Sequence, residues 1–294
     1  MILTVLTPSY NRAYILRKLY TSLQEQSNKS FAWMVIDDGS TDETAALIQE
    51  LSETADFPVQ YVYKENGGKH TALTKGFELI DTELTIIVDS DDCLLPDAVE
   101  TIIRFHQQFK DQEGLCGYSF MRVHPDGKII GEPFQKEGLI SSYIDQRINS
   151  NDMHSDKAEV FYTSVLREFP FPIFGNERFL SEDVIWIPMG RKYKTVYSGK
   201  GIYVCDYLED GLTKNRRRNN IKSPRGCTYR ASLYLENDIR LRHRLRAGLQ
   251  YWIYGWFAGE RTQWLWANGR QKLVLLMCCL PARVLYMNWR RKYQ

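Results

Sequence analysis

Within its first ninety residues the chain alternates short apolar runs with segments of helical period four times, and this alternation constrains the fold more than any other feature. Ile2 to Leu6, Trp33 to Ile36, Val59 to Tyr63 and Leu84 to Val88 are apolar, β-branched-rich runs of strand length. Between the first two, residues 12–26 place Ile15, Leu16, Leu19, Tyr20 and Leu23 on one helical face. Residues 43–53, capped by Thr41 or Asp42, and residues 69–80 read as the next two helices. Such a succession predicts an α/β protein with a mostly parallel sheet covered by helices on both faces. Ligands of such sheets bind beyond the carboxyl ends of the strands. Thr7, Asp37 with Asp38, and Asp89 with Asp91 fall at those ends. Polar groups at three strand ends, aimed at one sheet edge, say more than any one motif.

Past residue 114 the pattern is less regular. Short apolar runs at Gly117 to Val123, Lys128 to Ile130 and Glu159 to Tyr162 alternate with turns, and residues 181–192 read as helix. Residues 226–294 read as mostly helical and hold five of the seven tryptophans, with a linker expected at Asn215 to Pro224. The net charge of +2 conceals a division. Residues 1–210 hold 20 Lys and Arg against 33 Asp and Glu, a net of −13, and residues 211–294 hold 18 against 3, a net of +15. An acidic body with a basic tail suggests that the tail meets something anionic. The six cysteines have no metal-ligand spacing and read as free thiols of a reducing compartment. The opening apolar run lacks the basic start and cleavage site of a secretory signal, and the run from Leu273 to Met287 is interrupted by Pro281 and Arg283, so no spanning segment is expected. The expected location is the cytoplasm, with the tail able to rest on the cytoplasmic face of the cell membrane.

Five motifs then occur in order: Thr7-Pro8-Ser9-Tyr10-Asn11-Arg12; Asp37-Asp38-Gly39-Ser40-Thr41-Asp42; Asn66-Gly67-Gly68-Lys69-His70; Asp89-Ser90-Asp91-Asp92; and Ser181-Glu182-Asp183. In order and spacing they resemble the family 2 glycosyltransferases of the GT-A fold, across roughly residues 1–210. The resemblance implies a GT-A-type catalytic domain at 1–214, with a nucleotide-sugar half at 1–110 and an acceptor half at 111–214. A basic, Trp-rich helical region follows at 215–294. It implies transfer of a sugar, with inversion, from a nucleotide-diphosphate donor (a UDP-sugar being the leading choice) to a glycan or lipid-linked hydroxyl in cell-surface polysaccharide synthesis. No nucleic-acid-binding module is visible.

The chemistry asks for these residue types. Departure of a nucleoside diphosphate builds negative charge that a divalent cation neutralises, and Mn²⁺ or Mg²⁺ takes carboxylate and phosphate oxygens. Asp89 and Asp91, two apart in a segment read as extended, project to one side. The resemblance makes Asp91 the metal ligand and Asp89 a metal or ribose contact, with Asp92 able to stand in for either. It assigns Thr7, Pro8, Tyr10, Asn11, Arg12, Asp38, Lys69 and Ser90 to the nucleotide sugar. Asp38 is an acceptor suited to a base N–H. Arg12 reaches phosphate or covers the sheet edge, and Lys69 is a point charge for phosphate or a first-turn surface lysine. Asp37 reads as structural, Asp42 as a helix cap, and His70 as packing or capping. Asp183 is the expected general base, its pKa raised by the neighbouring acid and by Trp186, with Glu182 the alternative. The segment from Phe169 to Gly175 lines the acceptor site or is core. Arg216 to Arg218 close over phosphate, meet lipid or are solvated, and Tyr207 to Lys214 resembles a family loop. No Gln-x-x-Arg-Trp follows at Gln250, Gln263 or Gln271, which favours single addition over polymerisation.

Three other classes fit the sequence less well. A nucleotidyltransferase wants a Gly-rich, basic loop after the first strand, where Pro8-Ser9-Tyr10-Asn11 stands. A dinucleotide oxidoreductase wants Gly-x-Gly-x-x-Gly at the same place. An inactive membrane-surface scaffold has no need of Asp89, Asp91 and Asp183.

Overall fold

The computed structural model describes residues 1–134, 136–150, 155–205, 216–260 and 268–293. The first part runs β1 (Leu3–Ser9), α1 (Ala13–Gln24), β2 (Phe31–Asp37), α2 (Thr44–Thr54), β3 (Val59–Tyr63), α3 (Lys69–Leu79) and β4 (Leu84–Ile87). It continues through β5 (Cys93–Leu94), α4 (Ala98–Phe109), β6 (Leu115–Val123), β7 (Leu139–Ser141), a π-helical turn at Ile144–Ile148, β8 (Lys157–Tyr162), α5 (Thr163–Glu168), α6 (Asp183–Lys192) and β9 (Lys194–Val204). Among the described residues four helices follow: α7 (Arg216–Lys222), α8 (Pro224–Leu233), α9 (Leu241–Phe257) and α10 (Gly269–Tyr293).

The strands form one sheet in the order β3-β2-β1-β4-β8-β6-β9-β5, with β7 also on β9. The first four neighbours are parallel, as the alternation demands. Beyond β4 the sheet is mixed: β8 runs antiparallel to both β4 and β6, whereas β6 and β9 are parallel. Helices cover both faces. Leu3 and Val5 of β1 pack with α1, α2 and α4 in one core, and Leu6 packs with α3, α5 and α6 in the other. That division is the two-residue period of a strand buried on both sides.

Three local expectations are corrected. β1 does not stop at Leu6 but continues through Ser9, pairing Thr7 with Val35, Pro8 with Ile36 and Ser9 with Asp37. Residues 216–222 are helical, not a linker. Pro281 does not break the C-terminal helix: α10 runs for 25 residues with Pro281 inside it. The lost N–H bond concerns the carbonyl of Met277, a residue 58% exposed, so water can replace it. By length and composition α10 is long and apolar enough to cross a membrane, though only 22% of its apolar window is buried in the protein.

The C-terminal helices have their own core. Leu235, Ala247, Trp252, Ile253, Val274, Leu275 and Cys278 are buried together, and Trp252 donates its Nε1–H to the Leu275 carbonyl at 2.7 Å. A Cβ on Gly248 would sit 2.8 Å from Cys278 Sγ, so glycine there permits the close approach of α9 and α10. Trp252 stacks on Trp256, and Arg217 lies 4.7 Å over the Trp289 ring. These tryptophans therefore pack helices together; Trp264 and Trp266 lie outside the described residues. All six cysteines are free thiols.

Candidate active site

The carboxyl ends of β1, β2 and β4 open into a cavity of about 1380 Å³ that also reaches α6, α8 and α9. Pro8, Tyr10, Arg12, Asp38, Lys69, Asp89, Ser90, Asp91, Glu182 and Asp183 line it. Thr7 and Asn11 do not. Because β1 persists to Ser9, Thr7 shares the face of Leu3 and Val5; it is fully buried, and its hydroxyl accepts the Trp33 indole N–H at 3.0 Å. Asn11 sits at φ 52°, donates its backbone N–H to Ser40 Oγ and accepts the Thr41 N–H, both at 2.8 Å. It fastens the loop after β1 to the loop after β2.

That second loop is held by acids. Asp37 accepts from the Ser40 N–H at 2.8 Å and the Tyr61 hydroxyl at 2.6 Å, a structural role. Asp42 accepts the Ala13 N–H at 3.0 Å and the Thr44 N–H at 3.1 Å, so one carboxylate satisfies the first turns of two helices. Asp38, almost wholly buried, accepts Lys64 Nζ at 2.6 Å and the Gly67 N–H at 3.0 Å on Oδ1, and the Gly68 N–H at 2.7 Å on Oδ2. A carboxylate has about four lone-pair sites, so Oδ2 keeps one for a ligand N–H. Gly68 must be glycine: its φ is +95°, and a Cβ would fall 2.0 Å from the Arg178 carbonyl oxygen.

The segment after β4 is a tight turn, Asp92 N–H to Asp89 O at 3.1 Å, and not extended as expected. Asp89 and Asp91 still face the cavity together. Lys69 bridges Asp89 (2.6 Å) and Glu182 (2.7 Å); burial opposes its charge, but the two carboxylates outweigh it and hold the ammonium protonated above its ordinary range. Burial also works against Asp89, yet Lys69 and Arg122 keep its pKa low. Asp91 is the opposite case: burial and the Asp89 charge raise its pKa, and no side-chain donor pairs with it among the described residues. Asp92 is buried, takes the Tyr203 hydroxyl at 2.7 Å, and has its pKa pushed to about 6 by burial and by Asp89. The same Tyr203 oxygen accepts the Asp89 N–H at 3.1 Å, which fixes the turn.

Asp183 opens α6 and is 8% exposed. Arg230 of α8 donates Nε–H to both its oxygens at 2.8 and 2.7 Å, and the Tyr234 hydroxyl reaches Oδ2 at 2.7 Å. The expectation of a raised pKa is overturned: burial does push upward, but Arg230, then Tyr234, hold Asp183 below its ordinary value. Glu182 turns instead to Lys69. His70 is buried edge-on to Phe171, with burial lowering its pKa, as befits packing. Phe171 belongs to the core and Phe174 packs on Tyr229 of α8, so these rings join the body to the helices. Residues 207–214 lie outside the described residues.

Arg122, Tyr203, Arg230, Tyr234 and Lys64 were missed in the sequence. Arg122 left a signal, a lone charge in the apolar run from Gly117 to Val123; it lies 4.1 Å over the Tyr203 ring. Arg230 and Tyr234 left none, being 47 and 51 residues from their partner.

The mixed sheet, with acids gathered at its strand ends, is that of a GT-A-type fold. Residues 4–127 match the family described as Glycosyl transferase family 2. That match spans the segment from β1 through β6. The chain is 26% identical over 245 residues to the GalNAc(5)-diNAcBac-PP-undecaprenol beta-1,3-glucosyltransferase of Campylobacter jejuni, covering 81% of this chain and 75% of the relative. It is 26% identical over 226 residues to the glycosyltransferase GlyA of Streptococcus pneumoniae; that match covers 72% of this chain but only 31% of the relative, so this chain spans about a third of GlyA. Residues 1–349 of S. aureus TarS superpose with a TM-score of 0.62 at 16% identity, covering 95% of this chain and 79% of the other. The mannosyltransferase PcManGT of Pyrobaculum calidifontis, in complex with GDP-Man and Mn²⁺, superposes with a TM-score of 0.58 at 16% identity, covering 97% and 83%. At these identities the two structures establish the shared GT-A fold.

Proposed function

We propose that this glycosyltransferase moves a sugar from a UDP-sugar, with inversion, to a hydroxyl of a glycan or lipid-linked acceptor at the cytoplasmic face of the membrane, in cell-surface polysaccharide synthesis. The observation behind the reading is the convergence of Asp38, Asp89, Asp91 and Asp183 on one cavity from two loops and a helix. TarS has been solved with UDP-GlcNAc and PcManGT with GDP-Man, and a nucleotide sugar is the donor class that suits the cavity here.

In this reading the free lone pair of Asp38 Oδ2 takes a base N–H, and Pro8, Tyr10 and Arg12 border the nucleotide. The donor set fits a hard cation: two carboxylates at one wall, one of them unpaired and made less acidic by its neighbour, which a cation relieves. Asp91 and Asp89 are the residues that would hold Mn²⁺ or Mg²⁺, which would offset the negative charge that builds on a leaving diphosphate. Lys69, a protonated ammonium on Asp89, adds charge at the same wall. Asp183 takes the proton of the acceptor hydroxyl. Its clamp keeps it ionised and aims it, at the cost of basicity, so orientation rather than a raised pKa is its contribution.

The test is calorimetric titration of the wild-type chain with a panel of nucleotide sugars, each with Mn²⁺, with Mg²⁺ and with chelator. A single UDP-sugar should bind in the presence of metal and be lost in chelator. Binding of no nucleotide sugar under any condition would leave the scaffold reading in its place.

A further inference from the structure

α10 presents an apolar stripe that none of the described residues covers. Leu273, Leu276, Met277, Leu280, Val284 and Met287 are exposed, Leu280 to 80%. At 3.6 residues per turn they fall within an arc of roughly 100°. The opposite arc, Val274, Leu275, Cys278 and Ala282, is buried in the core shared with α9. The stripe is thus a second apolar face on a helix whose core-facing side is already satisfied, and it runs for most of the helix length. Isolated exposed leucines need no explanation, but six in register do.

The charges around the stripe name its partner. Arg270 and Lys292 border one edge of the arc, Lys272, Arg283 and Arg290 the other, and Arg291 stands at its end. No Asp or Glu follows Glu260, while seven Lys and Arg do. A protein partner would be recognised by mixed charges; an apolar stripe in a purely cationic frame matches the acyl boundary and headgroups of an anionic bilayer. Crossing the bilayer is a poorer fit. Arg283 would sit mid-membrane, and the buried arc would have to leave α9. Trp289 and Tyr293, at the end of α10, line a smaller cavity with Arg230 and Arg246, next to the clamp on Asp183. These two rings lie on the side of α10 opposite the stripe, so a bilayer under α10 would be one helix diameter, roughly 10 Å, from that cavity.

We propose that α10 lies in the plane of an anionic membrane surface, its aliphatic stripe immersed and its Lys and Arg on the headgroups, and so seats the enzyme beside a membrane-borne acceptor. The proposal rests on the acceptor reading above for its purpose, but not for the surface itself. The experiment is co-flotation of the full chain with vesicles of phosphatidylcholine, alone or with about one-third phosphatidylglycerol. Wild type should partition to the anionic vesicles, and added salt should weaken it. The exposed triple variant Leu276→Gln, Leu280→Gln, Val284→Gln should lose about tenfold or more of that partition, while keeping UDP-sugar binding as the sign of an intact fold. Equal partition of the triple variant, or no wild-type partition to anionic vesicles, overturns the proposal. So does resistance to alkaline carbonate extraction, which indicates a spanning helix. A wild-type dimer abolished by the triple variant, without vesicle binding, assigns the stripe to a second copy. Vesicle binding without any nucleotide-sugar binding strikes the donor reading and leaves the membrane seat standing.

Discussion

The two ends of the cavity, the proposed donor end and the proposed base end, are built in opposite ways. The donor end is local: Asp38, Lys69, Asp89 and Asp91 come from successive strand ends within 54 residues, and their partners Lys64, Gly67 and Gly68 lie in the same stretch. The base end is distant: Asp183 opens a helix of the body, and its clamp comes from α8 and the turn after it. Parallel strands deliver their ends to one edge by topology alone, so the donor end needs little beyond the sheet. Asp183 has no such guarantee, and a buried carboxylate without a partner is costly, so the C-terminal helices hold it in place. The C-terminal helices thus form one wall of the site.

This contrast can be broken in several places. The largest effect is expected at the donor end. Asp91→Ala should abolish metal-dependent binding of the nucleotide sugar and slow donor turnover by about 10²–10³-fold, read by titration and by nucleotide release. An unchanged metal dependence would move the cation away from Asp91. Next is Arg230→Met at the base end. It leaves Asp183 buried without its counter-charge, with the Tyr234 hydroxyl still on Oδ2, and should cost about 3 kcal/mol of stability in urea melts, with Arg230→Lys recovering part. The sign with pH follows from the depressed pKa. The pair's stabilisation is complete above the ordinary Asp value of 3.8 and is lost as pH falls through the lower folded value. The acid limb of turnover should shift upward in the variant, because an unclamped Asp183 protonates at higher pH. An unshifted limb with lost stability would make the clamp purely structural.

Much of the donor end was legible from the sequence, because strand period, strand ends and acids are all local signals. Even there, two residues were misplaced for one reason. The strand β1 runs three residues further than its apolar run suggests, so parity turns Thr7 inward, and Asn11 is drawn into the neighbouring loop. The base end was legible only as a motif. That Asp183 is acidified rather than made basic depends on Arg230, and no spacing rule links residues 47 apart. The exposed stripe of α10 was hidden differently: Pro281 and Arg283 read as interruptions, whereas in the helix Pro281 is tolerated and Arg283 lies at the stripe's edge.

Smaller effects sharpen the same contrast. Gly68→Ala forces a Cβ against the Arg178 carbonyl at a positive φ and should cost about 1–3 kcal/mol, with weakened donor binding, since this loop carries the contacts of Asp38. Ile173→Ala, in the segment joining body and helices but 72% exposed, should change stability by less than about 0.5 kcal/mol. A large loss there would mean that the join depends on more than Phe171 and Phe174.

The most direct test of the account is nucleotide release from the bound UDP-sugar, in the presence of acceptor and Mn²⁺, by wild type and Asp183→Asn under single-turnover conditions. The account predicts that the variant binds donor as wild type does and transfers about 10²–10⁴-fold more slowly. Transfer at the wild-type rate would show that Asp183 only anchors α8 to the body, and that the proton leaves the acceptor by another route.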